Sequence, residues 1–339
     1  MYGLGYPAVA AAATIGFVSV YIILDGFDIG AGMLMSRARG KAERGAICAA
    51  VTSTTYTSEL WLVAAATAMY VSFPAAFRAL AQALLIPISV MICAMILRLV
   101  ALLARRRAGD RSELFWSRIF VAASFIVAGA QGFALGGYIR GTSVAADKFV
   151  GGLFDWFSPF SVLIVAALAV GYALLGASWL RFQAKGDVAV RAQSWTPALA
   201  VAGAFAMAAI SAATLLVHPS VSARWGIALD GIEWRYFSVL APLPVTAAVC
   251  LGAIIAQGRR GADASAFVLT IITFAAGFAG LIASVWPYVV PFGFTIERAA
   301  AGDADLARAL LRLGCAAPIL MVVSLLPHRA WVRQQSLIS

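Results

Sequence analysis

The sequence predicts an all-α, polytopic membrane protein, with nine transmembrane helices arranged as two four-helix bundles plus one extra helix. Three observations predict it. Of 339 residues, 63% are hydrophobic and 12% charged, and the mean hydropathy is +0.92. An average soluble domain is roughly half apolar and a quarter charged, so no soluble core hides this much apolar side chain and lipid must be the solvent. Nine long apolar segments recur along the chain, and the loops between them alternate in charge.

Each element follows from its length and flanks, a spanning helix needing roughly 20 mainly apolar residues. The first segment covers 7–35 and runs to the first cation of the chain, Arg37. It lacks the basic start of a cleaved signal peptide and is expected to be retained. The second covers 46–71, the third 79–104 before Arg105-Arg106-Arg107, and the fourth 117–140. The fifth covers 159–183; the sixth, 195–217, stops at His218-Pro219; the seventh, 238–257, stops before Arg259-Arg260. The eighth covers 265–290 and the ninth 306–327, before His328 and Arg329. The whole chain reads as a single integral membrane domain, with helices 1–4 over about 7–140 and helices 5–8 over about 159–290. Gly30-Ala31-Gly32-Met33-Leu34 closes segment one, and Gly176-Ala177-Ser178-Trp179-Leu180 closes segment five, 146 residues later. That echo suggests a repeat, although small residues recur in packed membrane helices for steric reasons alone.

Sixteen of the 25 Lys and Arg fall in loops after odd-numbered segments, and seven after even-numbered ones. The positive-inside rule then places the N-terminus outside and the C-terminus in the cytoplasm. The formal charge of +10 thus faces the anionic inner leaflet and calls for no nucleic-acid partner. Trp61, Trp156, Trp225, Trp234, Trp286 and Trp331 fall near segment ends or loops, where several suit interfacial anchoring. Cys48, Cys93, Cys250 and Cys315 lie within apolar segments without CxxC spacing or a neighbouring His, which indicates neither disulfides nor a metal site. His218 and His328 read as helix-end residues. No nucleotide-binding glycine motif and no nucleophile–base set appears, so no catalytic residue is assigned.

Ionisable groups in hydrocarbon cost several kcal/mol unless paired or hydrated, so each asks for a reason. Asp25 lies ~27 Å beyond Pro7, close to the cytoplasmic side. Asp28, three residues on, shares its face, and Gly26 and Gly30 form a GxxxG step for a neighbouring helix. The alternative for both carboxylates is a hydrated interfacial position paired with loop arginines. Glu59 ends the hydroxyl-rich run Thr52–Ser58, ~20 Å along segment two from Ala46, where a buried carboxyl suits either a proton path or one interhelical hydrogen bond. Arg98 lies ~28 Å along segment three, near the depth of Asp25 and Asp28, and either pairs with them or snorkels to the interface. Gln131, Asp147, Asp155, Asp230 and Glu233 read as solvated outer-side residues.

Leu24-Asp25-Gly26-Phe27-Asp28-Ile29-Gly30-Ala31-Gly32 resembles the DGFDLGxG signature of subunit II of cytochrome bd-type quinol oxidases, in the cyanide-insensitive branch. The resemblance continues through Gly132–Gly137, Phe154–Phe160, Gly171–Leu180 and Trp286–Pro291, in the family's order. It implies a larger partner, subunit I, carrying haem b and haem d-type groups, oxidising quinol and reducing oxygen. It implies a bound quinone or lipid against this subunit, and leaves a small accessory subunit open. The chain itself would then ligate no haem and scaffold the partner, and Asp25, Asp28, Tyr56, Glu59 and Arg98 would be the candidate proton pathway. The chain departs from the family in two motifs. The second-helix motif, roughly W-D-x-N-E-x-W-L, reads Thr55-Tyr56-Thr57-Ser58-Glu59-Leu60-Trp61-Leu62, so a tyrosine replaces a carboxylate. A phenol with a reference pKa near 10 relays a proton but stores one poorly. The third-helix F-R-P turn reads Leu97-Arg98-Leu99, without the proline. Two other classes fit the same residues: a stand-alone ion-coupled transporter, and a purely structural subunit that tolerates loss of these groups.

Overall fold

The structure, a computed structural model, describes residues 5–52, 55–107, 109–145, 148–228, 231–258 and 263–336; of residues 55, 56, 110, 111, 228 and 325–336 it describes the backbone alone. Within a bilayer the backbone must satisfy its own hydrogen bonds, and the chain does so with helices. The first half contains α1 (Tyr6–Leu34), α2 (Gly40–Thr52), α3 (Thr55–Ser72), α4 (Pro74–Ala83), α5 (Leu85–Arg107) and α6 (Asp110–Arg140). The second contains α7 (Pro159–Gln183), α8 (Asp187–Leu215), α9 (Pro219–Arg224), α10 (Trp234–Leu240), α11 (Pro242–Gln257) and α12 (Asp263–Val285). The short α13 (Ile296–Ala299) and the long α14 (Asp303–Ser336) close the chain. Three two-stranded antiparallel hairpins, β1–β2 (144–149), β3–β4 (227–232) and β5–β6 (288–295), decorate the links.

Among the described residues seven helices are long and apolar enough to cross a membrane, or eight if α10 and α11, bent by 42°, form one span. The described residues of the expected second span fall in α2 and α3, and α3, 18 residues long, carries Glu59, which lowers its hydropathy. The expected third span starts later, because Leu84 separates α4 from α5. The sixth starts earlier, at Asp187, and the eighth stops at Val285, where Pro287 and Pro291 suit a hairpin rather than a helix. The fifth has the expected limits.

Two stretches are buried on every side, Asp25–Met35 of α1 with its 3-10 extension and Tyr172–Arg181 of α7. A helix buried all round is one enclosed by other helices. Small residues allow that enclosure: a Cβ on Gly30 would run into the backbone of Tyr172 and Gly176, and a Cβ on Gly176 into the backbone of Gly30 and Ala31. Gly26 likewise faces the Tyr172 ring, and Gly32 faces Ser124 of α6. Because Gly26 meets Tyr172 and Gly30 meets Gly176, positions rise together and α1 and α7 run parallel.

Around this pair α1 packs on α3 and α6, α5 on α6, and α6 on α7. On the other side α7, α8, α11 and α12 close a ring, and α14 lies against α3. Phe27 stacks on Trp179 at 4.6 Å between centroids, and Trp179 lies tilted against Phe267 at 5.2 Å. Trp61 is buried in this core and its indole Nε1 donates to Ser324 Oγ at 2.9 Å, so it ties α3 to α14 rather than anchoring an interface.

The basic loops gather at one end. Glu113 of α6 accepts from Arg44 at 3.0 Å and Arg105 at 2.5 Å, Arg191 pairs with Glu43 at 2.5 Å, and Arg181 with Asp263 at 2.6 Å. Among the described residues these carboxylates, and not Asp25, take the loop arginines. The hairpins, α4, α9 and α13 occupy the opposite end.

Candidate functional site

Asp25 and Arg98 each stand nine residues from the basic end of their own helix, about 14 Å of rise. That common depth brings them together: Arg98 Nη1 donates to Asp25 Oδ1 at 3.2 Å, with side chains 2% and 1% exposed. Arg98 is thus a buried partner and does not snorkel to the interface. Its guanidinium also lies 5.5 Å from the Phe120 ring centroid, a cation–π contact that takes up part of its charge. Asp28, one turn on, is completely buried.

The other oxygen of Asp25 is held by a residue that sequence reasoning placed in solvent. Gln131 of α6 is buried, and its Nε2 donates to Asp25 Oδ2 at 3.1 Å and to Tyr21 Oη at 2.6 Å. Its Oε1 accepts from the Tyr172 hydroxyl at 2.7 Å. Asp25 therefore has N–H donors on both oxygens, each from a group that keeps its proton at neutral pH. In its ionised form it accepts both bonds, and a charge-assisted bond is roughly twice as strong as a neutral one. Four helices, α1, α5, α6 and α7, meet at this carboxylate.

Glu59 of α3 is half-buried and lies within electrostatic reach of Asp25 and Arg98. Tyr56 occupies the position three residues earlier on the same helix, hence the same broad face; its side chain lies outside the described atoms. Of the residues expected in solvent, Asp155 and Glu233 are exposed, whereas Asp147 and Asp230 fall outside the described residues. His218 caps α9, its Nδ1 accepting from the Ser220 N–H at 3.2 Å, which is the helix-end role expected of it; the His328 side chain is not among the described atoms. Among the described residues no group of three His, Cys, Asp or Glu is placed to hold a metal.

The site's polarity sits in the half of the bundle nearest the basic loops, enclosed by a membrane-spanning apolar body. The sequence profile of one family, cytochrome bd terminal oxidase subunit II, matches residues 6–331. The chain belongs to that family. It also shares a fold with a chain in the structure of bd oxidase from Geobacillus thermodenitrificans, at 16% identity and a TM-score of 0.76, over 96% of this chain and 98% of that one. No curated protein matches it. This subunit II is a multi-pass membrane component of an oxidase complex, and haems in such complexes are carried by the partner subunit.

The relatives' signature DGFDxG now has a physical reading in this chain. Its glycines let α7 touch α1, and its first aspartate faces α5 and α6. Sequence reasoning missed Tyr21, Gln131 and Tyr172. Tyr172 falls in the Gly171–Leu180 landmark, but an uncharged tyrosine or glutamine in an apolar segment carries no signal of its own until the fold shows what it touches.

Proposed function

We propose that this chain is the non-haem-ligating subunit of a quinol:oxygen oxidase in the bacterial cytoplasmic membrane. It buries and holds a larger subunit I that carries haem b and haem d-type groups, as a heterodimer with surrounding lipid or quinone. The proposed orientation puts the basic end in the cytoplasm and the N-terminus outside. Nine crossings as two four-helix bundles plus α14 fit the parallel course of α1 and α7. Two parallel spans need an odd number of crossings between them, so α5 and α6 alone do not suffice and α3 makes the third. The repeat reading has matching support, since the two fully buried stretches end at Met35 and Arg181 and the touching glycines are Gly30 and Gly176, each pair 146 residues apart.

Asp25, Asp28, Tyr56, Glu59 and Arg98 form the proposed proton route from the cytoplasm toward the oxygen-reducing haem. The observation that carries it is the buried Asp25–Arg98 pair with a second carboxylate, Glu59, in its field. Asp25 pairs with Arg98 in this scheme, and both its oxygens hold donors. Glu59 carries the proton, and Tyr56 passes one through its hydroxyl. The partner's cofactors supply the redox chemistry; this chain's residues hold and move protons and seal the interior.

Two measurements test the proposal. Purification in mild detergent should yield a larger haem protein in the same peak, seen in a reduced-minus-oxidised spectrum. In that assembled complex, Glu59→Gln should slow oxygen uptake on the order of a hundred-fold, the low end of what removing a positioned proton-transfer group costs. Parental turnover with full assembly would reject the proton role and leave the structural one. Colourless protein that transports a cation in liposomes would favour the transporter instead.

A further inference from the structure

Arg98 uses only part of its guanidinium. Nη1 is taken by Asp25 at 3.2 Å and one face by the Phe120 ring at 5.5 Å, while Nε and Nη2 have no hydrogen-bond acceptor among the described residues. Those two N–H groups are neighbours on one edge of the planar group and point the same way, the fork that matches the two oxygens of a carboxylate. A buried donor left without an acceptor is costly, and the side chain is 2% exposed, so the fork is reached from the protein's interior. We infer that this edge of Arg98 is a docking place for the Glu59 carboxylate, and that Glu59 moves between the edge, when ionised, and its half-buried position, when protonated. This rests on the proton role proposed above for Glu59.

Placement brings the two groups together. Met95 and Met91, one and two turns before Arg98, share its face of α5, and Leu62, three residues after Glu59, shares the face of Glu59 on α3. Met91 and Met95 belong to one apolar cluster with Trp61 of α3 and Tyr21 and Phe27 of α1, and Leu62 packs against it. Arg98 and Glu59 therefore look into the same space, and Glu59 lies in the field of both Arg98 and Asp25. The other titratable groups on the packed elements are Tyr21, Asp25 and Asp28 of α1, Tyr56 of α3 and Tyr172 of α7. The α6 helix presents the neutral Gln131, and α14, packed on α3, carries between Arg312 and Ser324 only the exposed Cys315. Charge gives the two positions their meaning. Next to hydrocarbon a neutral carboxyl is far less costly than a carboxylate, which suits the half-buried position to the protonated acid. The ionised acid gains two charge-assisted N–H bonds at the fork. Asp25 already holds part of the Arg98 charge and repels a second carboxylate, so Glu59 is held loosely enough to take its next proton. The cycle balances: the docked carboxylate gains one proton passed through the Tyr56 hydroxyl, leaves the fork as a neutral carboxyl, gives that proton to an acceptor on the partner's side, and returns as a carboxylate.

Electron cryo-microscopy of the assembled parental complex at acid and at alkaline pH tests this without a substitution. At alkaline pH the Glu59 carboxylate should stand within hydrogen-bonding distance of Arg98 Nε and Nη2, and at acid pH it should have withdrawn. A fork filled at both pH values by water, by Asp28 or Tyr56, or by a residue of subunit I overturns the inference, as does a Glu59 that keeps one position. Turnover supplies a second reading. Glu59→Asp keeps the acid on a side chain one methylene shorter, which takes it out of reach of the fork. Oxygen uptake by that assembled variant should fall most of the way to the Glu59→Gln rate, and parental uptake counts against docking. Glu59→Gln alone separates this inference from the proton route. Slow uptake by Glu59→Gln beside an unmoved Glu59 in the parent sinks the docking and spares the route; parental uptake by Glu59→Gln sinks the route, and the proton cycle with it.

Discussion

Removing one member of the Asp25–Arg98 pair should cost far more than removing both charges. The pair is 3.2 Å apart with both side chains almost fully buried, and Arg98 Nε and Nη2 have no hydrogen-bond acceptor among the described residues. Asp25→Asn therefore leaves a buried guanidinium whose main ion-pair partner is gone, and the Phe120 ring, worth ~0.5–2 kcal/mol, does not replace it. Breaking a buried pair from one side costs about 3–5 kcal/mol. Arg98→Gln should cost a similar amount by leaving the buried Asp25 carboxylate without its cation. In Asp25→Asn/Arg98→Gln no buried charge of the pair remains and two amides face each other, so the loss should fall short of the sum of the singles by up to about 3 kcal/mol. Dodecyl-sulfate denaturation of the detergent-solubilised complex, followed by tryptophan fluorescence, measures the four species. Single variants within about 0.5 kcal/mol of the parent, or a strictly additive double variant, would refute the claim that these charges depend on each other.

Gly176→Ala should destabilise α1 against α7 by roughly 1–3 kcal/mol, because its Cβ would meet the backbone of Gly30 and Ala31. Gly16→Ala, with open space at its Cβ, should be neutral or slightly stabilising in the same denaturation assay. Glu113→Gln removes the carboxylate that accepts from Arg44, Arg105 and Ser117. It should loosen α2 by roughly 1.5–3 kcal/mol, seen as faster trypsin cleavage after Lys41 and Arg44. Trp61→Phe deletes the bond to Ser324 and should cost about 0.5–1.5 kcal/mol, with faster amide exchange in α14 and unchanged exchange in α7.

The pairing of Arg98 with Asp25 was visible as a coincidence of depth, since a helix advances a constant distance per residue and counting residues places charges along the membrane normal. Counting does not give azimuth. Asp28 shares the face of Asp25 in sequence, yet the contact with Arg98 in the structure is drawn at Asp25. Gln131 shows the same limit: its position in segment four was known, but not that its side chain turns inward between α1 and α7. Trp61 was read as an anchor, and its actual partner, Ser324 of α14, lies 263 residues away, where no local pattern points.

By itself the sequence determined that the chain lives in lipid, which loops share one end, the limits of the first and fifth spans to within a residue, and, through DGFD and the landmarks that follow, which family it belongs to. Those properties depend on composition, on charge and on residue types in fixed order, all of which are local. The tertiary structure alone decided which buried polar groups satisfy one another. Asp25, Arg98, Gln131, Tyr21 and Tyr172 come from four helices and as many as about 150 residues of separation. Gly26, Gly30 and Gly176 let α1 and α7 approach closely, which sets Tyr172 beside α1 where it bonds the Gln131 that holds Asp25.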